Sequence, residues 1–252
     1  MPEKLLGFIM VLTRLSAFFM LIPVFGWKTI PTSVKIAMTM LLAIFFSNKT
    51  ALAIPVRAGN NGQFSFAEVI FLISNEATYG LALGLVVVII FSVIKFSGSI
   101  IESQMGLSMV EIFDPLTNEE TELLSSLLEM IFIIMFLSAN GHHLFLMIIS
   151  RSFDVFPAGS IPTISVLTEG VMKAGSAMFL AGLRLAAPML AAFLLLLIVL
   201  AILSRIVPEM DILFISLPLR IGLGLLMAAI FLPFISGFVS EFADWMGKLL
   251  PL

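Results

Sequence analysis

At 252 residues and 27.5 kDa the chain has room for one or two domains. Hydrophobic residues make up 60% of it and charged residues 12%, with a mean hydropathy of +1.17; soluble domains hold roughly 45–50% and about 25%, so a soluble globule and a disordered chain are both excluded. A net charge of −3 offers nucleic acid no basic surface, and the absence of cysteine removes disulfides, thiolate chemistry and cysteine-held metal centres.

Six long apolar stretches follow one another, at about 5–25, 34–54, 66–96, 123–149, 171–203 and 212–242. Each reaches the roughly 20 residues that a helix needs to cross about 30 Å of hydrocarbon. Runs such as 85–91 (LVVVIIF) and 193–200 (FLLLLIVL) do not alternate as the strands of a membrane barrel must. The reading is an all-α integral membrane protein of about six long apolar helices. The first stretch follows Glu3 and Lys4 and is interrupted by Arg14. It lacks the basic leader and cleavage site of a signal peptide, so it is expected to be retained.

The third, fifth and sixth stretches exceed one straight span. Tilt absorbs part of the excess. Interior prolines offer a second account: Pro188, Pro218 and Pro233 each remove a helix hydrogen bond. Several helices are therefore expected to be broken or paired as helical hairpins, with protein or water covering the freed backbone.

Two connections are long. Residues 47–65, rich in Gly and Asn, read as a flexible turn. Residues 98–122 are acidic, and no Lys or Arg occurs between Lys95 and Arg151. Within that connection, Asp114 precedes Pro115, and Thr117 with Glu120 has capping-box spacing ahead of Leu123. Met105, Met109 and Phe113 are apolar residues expected outside any span, and soft thioethers and rings suit the reversible closing of a pore. Basic residues lie in nearly every connection, at Lys28, Lys35, Lys49, Arg57, Arg151, Arg205 and Lys248, so the charge bias assigns no orientation.

Charges inside apolar helices carry the most information. Arg14, Lys95, Arg184 and Arg220 each cost about 2.5–3.5 kcal/mol if left in hydrocarbon, so each should face protein, water or a partner. Lys95 and Arg220, near helix ends, suit snorkelling. Arg14 is mid-segment and is expected to pair with a carboxylate of a neighbouring helix or subunit. Glu68 and Glu76 read as first-turn acids at the positive end of a helix dipole. Adjacent His142 and His143 point about 100° apart on a helix and do not chelate one ion easily, which favours a structural or interfacial role. There is no HExxH, GxSxG, phosphate loop or GxGxxG. Gly80-x-x-x-Gly84 and Ala177-x-x-x-Ala181 permit close helix approach.

Several patches, in this order, carry a resemblance. They are Arg14-Leu-Ser-Ala-Phe18, Pro23-Val-Phe-Gly26, Ile30-Pro31 and Val34-Lys35-Ile36, then Gly98 with Gln104-Met105-Gly106, and Asp114-Pro115. Asn140-Gly-His-His143, Ser152-Phe153, Pro157-x-Gly159 and Ala187-Pro188 follow, and last come Arg205-x-x-Pro208-x-Met210 and Phe214 before Leu217-Pro-Leu-Arg-Ile221. The pattern covers nearly the whole chain and resembles the flagellar biosynthetic FliR family, injectisome counterparts included.

The resemblance implies a structural, channel-forming subunit of the flagellar type III protein export gate, in the bacterial inner membrane at the flagellar basal body. In that family the chain assembles with FliP and FliQ, FlhB and FlhA lie nearby, and unfolded polypeptides are the cargo; no cofactor is implied. The fold is similar to a FliP-like portion, here 1–170, joined to a FliQ-like hairpin portion, here 171–252. The family's pore plug matches 106–122, with Gly106, Met109, Val110, Ile112, Phe113, Asp114 and Pro115 as closing residues. Arg14, Pro23, Pro31, Gln104, His142, His143, Arg184, Pro188 and Arg220 are the expected assembly contacts. The competing reading is a secondary transporter of ions or small solutes, suggested by broken helices and intramembrane charges but without convincing internal repeats. With no catalytic set in the sequence, the chain is read as not an enzyme.

Overall fold

The computed structural model describes residues 2–22, 31–49, 65–107, 122–160, 164–207 and 214–230. They form α1 (Pro2–Leu21), α2 (Thr32–Lys49), α3 (Phe66–Met105), α4 (Leu123–Ser138), α5 (His142–Val155), α6 (Ile164–Ile206) and α7 (Phe214–Ile230). All six apolar stretches are thus helical where described. Three helices, α1, α3 and α6, are long and apolar enough to cross a membrane, while α2 and α7 are shorter apolar helices. The protein is an all-α membrane protein.

The breaks fall elsewhere than the prolines suggest. Pro188 lies inside the 43-residue α6 without ending it, and Pro218 lies inside α7; Pro233 is outside the described residues. An apolar environment explains this, because a helix has no solvent to turn its backbone toward and keeps its remaining hydrogen bonds. The fourth stretch breaks instead, between α4 and α5. There Asn140 takes φ 60°, a left-handed conformation that asparagine tolerates better than most residues.

The third stretch also runs further than its hydropathy suggests. Residues 98–105, expected in the acidic connection, continue α3 as far as Met105. Ile101, Glu102 and Met105 are buried, so packing holds this last part helical. Met105 is therefore a core residue and not part of a connection. Gly106, with φ 79°, ends the helix in the left-handed conformation. The 50–64 part of the Gly/Asn-rich turn lies outside the described residues.

Contacts divide the chain into two compact units. The first comprises residues 1–91, 140–176 and 243–252, the second 92–139 and 177–242. In the first, α1 lies against the early part of α3 where Gly80 and Gly84 leave room. A Cβ on Gly80 would run into the Arg14 carbonyl oxygen, and one on Gly84 would stand 3.1 Å from the Phe18 carbonyl oxygen. The small-residue pair thus brings two backbones together. Phe46 of α2 packs on Phe153 of α5, and Phe91 packs on Phe145, each with ring centroids 5.9 Å apart.

In the second unit, Gly98 of α3 admits the start of α4; a Cβ there would lie 2.7 Å from the Ser125 Cα. Phe96 of α3 meets Phe179 of α6 at 4.9 Å and also covers Gly182. Of the Ala177/Ala181 pair, Ala181 is buried, yet the close approach is made at Gly182.

Candidate functional site

Arg14 sits mid-way along α1 and is 2% exposed. Its Nε donates to Glu76 Oε2 at 2.6 Å and its Nη2 to Glu76 Oε1 at 3.1 Å, a bidentate pairing of a planar fork with a carboxylate. Its Nη1 donates to the carbonyls of Ser152 (3.2 Å) and Phe156 (2.9 Å). These belong to the end of α5, which has no basic residue of its own in the last turn. Arg14 therefore supplies from another helix the positive charge that a helix C-terminus favours. Its guanidinium carbon also stands 4.6 Å from the Tyr79 ring centroid and 4.3 Å from that of Phe153.

Glu76 is 1% exposed and does more than answer Arg14. Its Oε1 also accepts the N–H of Gly159 at 2.8 Å. Beside it in the sequence, Asn75 Nδ2 donates to the Ser160 carbonyl at 2.8 Å. The Pro157–Ser160 turn, in which Gly159 has φ 91°, is thereby held against α3. Two side-chain atoms in this neighbourhood, Tyr79 Oη and Ser160 Oγ, are buried with no hydrogen-bond partner among the described residues.

Three patches that are far apart in sequence thus meet at one point: Arg14, Ser152-Phe153 and Pro157-x-Gly159. The expected carboxylate partner of Arg14 is found on a neighbouring helix of the same chain. Its identity corrects the reading of Glu76 as a first-turn acid. Glu68 does lie in the first turn and accepts the Ser65 N–H at 3.0 Å; Glu76 lies ten residues into α3. The available signal was its isolation, since beyond Glu68 it is the sole acid of the third apolar stretch.

A second carboxylate was hidden among the acidic residues after Gly98. Glu102 is 6% exposed and accepts the N–H groups of Leu124 (3.4 Å) and Ser125 (3.2 Å). It caps α4 from α3, in place of Glu122 at the N-cap position, which makes no side-chain cap bond. Glu122 instead accepts the Ser125 hydroxyl at 3.0 Å. Thr117 and Glu120, the expected capping pair, lie outside the described residues.

The other expected residues are placed as follows. Of the plug set, Gly106 is buried at the end of α3, while Met109, Val110, Ile112, Phe113, Asp114 and Pro115 lie outside the described residues, as does Pro23. The Pro31 carbonyl accepts the N–H groups of Val34 (3.0 Å) and Lys35 (3.3 Å) and so starts α2. Gln104 is half-buried near the end of α3. The His142 and His143 rings lie 4.3 Å apart at the start of α5. Among the described residues no group of three or more His, Asp or Glu stands together as metal ligands. Arg184 and Pro188 are exposed on α6, and Arg220 is half-buried on α7.

A family model described as "Bacterial export proteins, family 1" matches residues 5–246. The chain belongs to this family. Its relatives include the flagellar biosynthetic protein FliR of Escherichia coli, 30% identical over 239 residues that cover 95% of this chain and 89% of the relative. The FliR of Bacillus subtilis is 29% identical, covering 88% of this chain and 84% of the relative. That of Pectobacterium carotovorum is 27% identical, covering 94% and 90%. The Arg14 network ties three helices and a turn together.

Proposed function

We propose that the chain is a channel-forming subunit of the flagellar type III protein export gate in the bacterial inner membrane. It acts there with FliP- and FliQ-type subunits, with FlhA and FlhB nearby, and passes unfolded polypeptides by structural rather than catalytic means. The observation that carries this reading is the export-family match over residues 5–246. Helix length supports it: the 40 residues of α3 and 43 of α6 extend to about 60 Å at 1.5 Å per residue, twice the hydrocarbon thickness. Even a steep tilt does not bring such helices within one bilayer, and further protein is the natural cover for the remainder. In this reading residues 1–170 correspond to the FliP-like portion, 171–252 to the FliQ-like hairpin portion, and 106–122 to the plug.

The test is co-expression of the tagged chain with FliP and FliQ, followed by native mass spectrometry in detergent. A discrete particle containing all three is expected; a stable particle of this chain alone, indifferent to both, would overturn the proposal. Deleting 106–122 should leave that particle assembled and make cells permeable to ions and small solutes. A deletion strain as tight as wild type would remove the plug from the reading.

A further inference from the structure

Arg14 and Arg184 pose the same physical problem and receive different answers. Both lie mid-way along helices apolar enough to cross a membrane. Arg14 is enclosed by Glu76, two carbonyls and two rings. Arg184 is exposed and makes no hydrogen bond or ion pair with any described residue. From residue 177 to residue 203 it is the only polar side chain, so the helix offers it neither a local partner nor an interface within snorkelling reach.

Its surroundings are ordered. Leu180, Arg184, Ala187, Ala191, Leu195 and Ile198 follow one another at spacings of three or four residues, so they form one stripe along α6. All six are exposed. The buried residues Gly182, Ala186, Met189 and Phe193 lie on the opposite side. A smaller share of α6 than of α3 is buried. Next to the charge, Ala187-x-x-x-Ala191 is a small-residue pair on the outward side, and such a pair admits a second helix at close range. Pro188, also exposed, has no N–H to give to the Arg184 carbonyl, so this turn presents a bare acceptor as well as a cation.

We infer that this stripe is a docking face for an apolar helix of another subunit that carries a single carboxylate opposite Arg184. Charge complementarity selects the occupant. Lipid tails satisfy Leu180, Leu195 and Ile198 but leave a guanidinium unpaired at the middle of the helix, where it is most costly. A water-filled passage would satisfy Arg184 but is lined by polar side chains, and this stripe has no other. A helix with one acid repeats between subunits what Glu76 does for Arg14 inside the chain, and the two alanines let it come near enough to form the ion pair.

The proposal rests on the reading of the chain as one subunit of a larger gate. To test it, the tagged full-length chain is expressed in its own host with Arg184→Leu, Arg184→Lys or Ala191→Phe, and the complex is recovered in detergent and weighed by native mass spectrometry. Arg184→Leu and Ala191→Phe, the second changing no charge, should each lower the yield of hetero-complex at least tenfold, while Arg184→Lys stays within a few-fold of wild type. If Arg184→Leu accumulates and assembles at wild-type yield, the docking face is refuted. The same holds if it assembles fully but alters ion conductance, which would make Arg184 a residue of an aqueous passage. Should Arg184→Leu fail to accumulate, Ala191→Phe decides: assembly at wild-type yield overturns the proposal, a tenfold loss sustains it. Failure of the gate reading looks different, because the wild-type complex itself would then lack FliP- and FliQ-type subunits.

Discussion

Single residues in this protein are governed by what hydrocarbon charges for an unpaired ion. Arg14 and Glu76 are both nearly inaccessible, and a buried pair is weak in net stabilisation but severe when halved. Arg14→Leu should therefore destabilise the folded chain by about 3–5 kcal/mol, because it strands the Glu76 carboxylate. The double change Arg14→Leu with Glu76→Leu should be milder than the sum of the single changes, and thermal unfolding of all four proteins in detergent gives the coupling energy. Additive effects would mean that the two side chains do not act as a unit. Arg14 was legible as a residue in need of a partner because it interrupts an apolar run. Glu76 stands out only by its isolation in an apolar run, and nothing local says that it faces α1 rather than water.

At the scale of elements, helix contacts are set by where side chains are absent. Gly80→Ala places a Cβ against the Arg14 backbone and should cost about 1–3 kcal/mol as overpacking. Gly175→Ala meets nothing within 4 Å and should instead stabilise α6 by up to about 1 kcal/mol through helix propensity. Thermal melts of the two variants should thus move in opposite directions. The α3–α4 junction makes a further prediction. Glu102→Ala removes the acceptor of the Leu124 and Ser125 N–H groups and should cost about 1–2 kcal/mol, as loss of a cap does. Hydrogen exchange should show it as faster exchange confined to the first turn of α4. Helix existence was readable from hydropathy. The extension of α3 past Phe96 was not, because Gly98, Ser99 and Glu102 look like connection residues until α4 is seen to cover them.

For the whole molecule, length is the controlling quantity. Thr168 and Arg205 stand near opposite ends of α6, 37 residues and so about 55 Å apart, against about 30 Å of hydrocarbon. The chain has no cysteine, so Thr168→Cys and Arg205→Cys can be made singly without background. At least one of them should react with a water-soluble maleimide in intact assemblies, while Leu183→Cys should not. Protection of both ends would mean that α6 is enclosed by protein along its whole length, and labelling of Leu183→Cys would place its middle in water.

Residue order alone is enough to establish a helical membrane protein without metal-thiolate chemistry and, through motifs spread along the chain, its export family. Those properties follow from local composition and from short patterns, which need no neighbour to be read. The tertiary structure decided which charges are answered among the described residues and which are not, where the fourth apolar stretch breaks, and which small residues serve as contacts. Each of these depends on atoms brought together across many tens of residues: Arg14 to Glu76, Gly98 to Ser125, Glu102 to the start of α4. An apolar sequence looks the same on every side of a helix, and only packing distinguishes the side that faces the chain itself from the side left for something else.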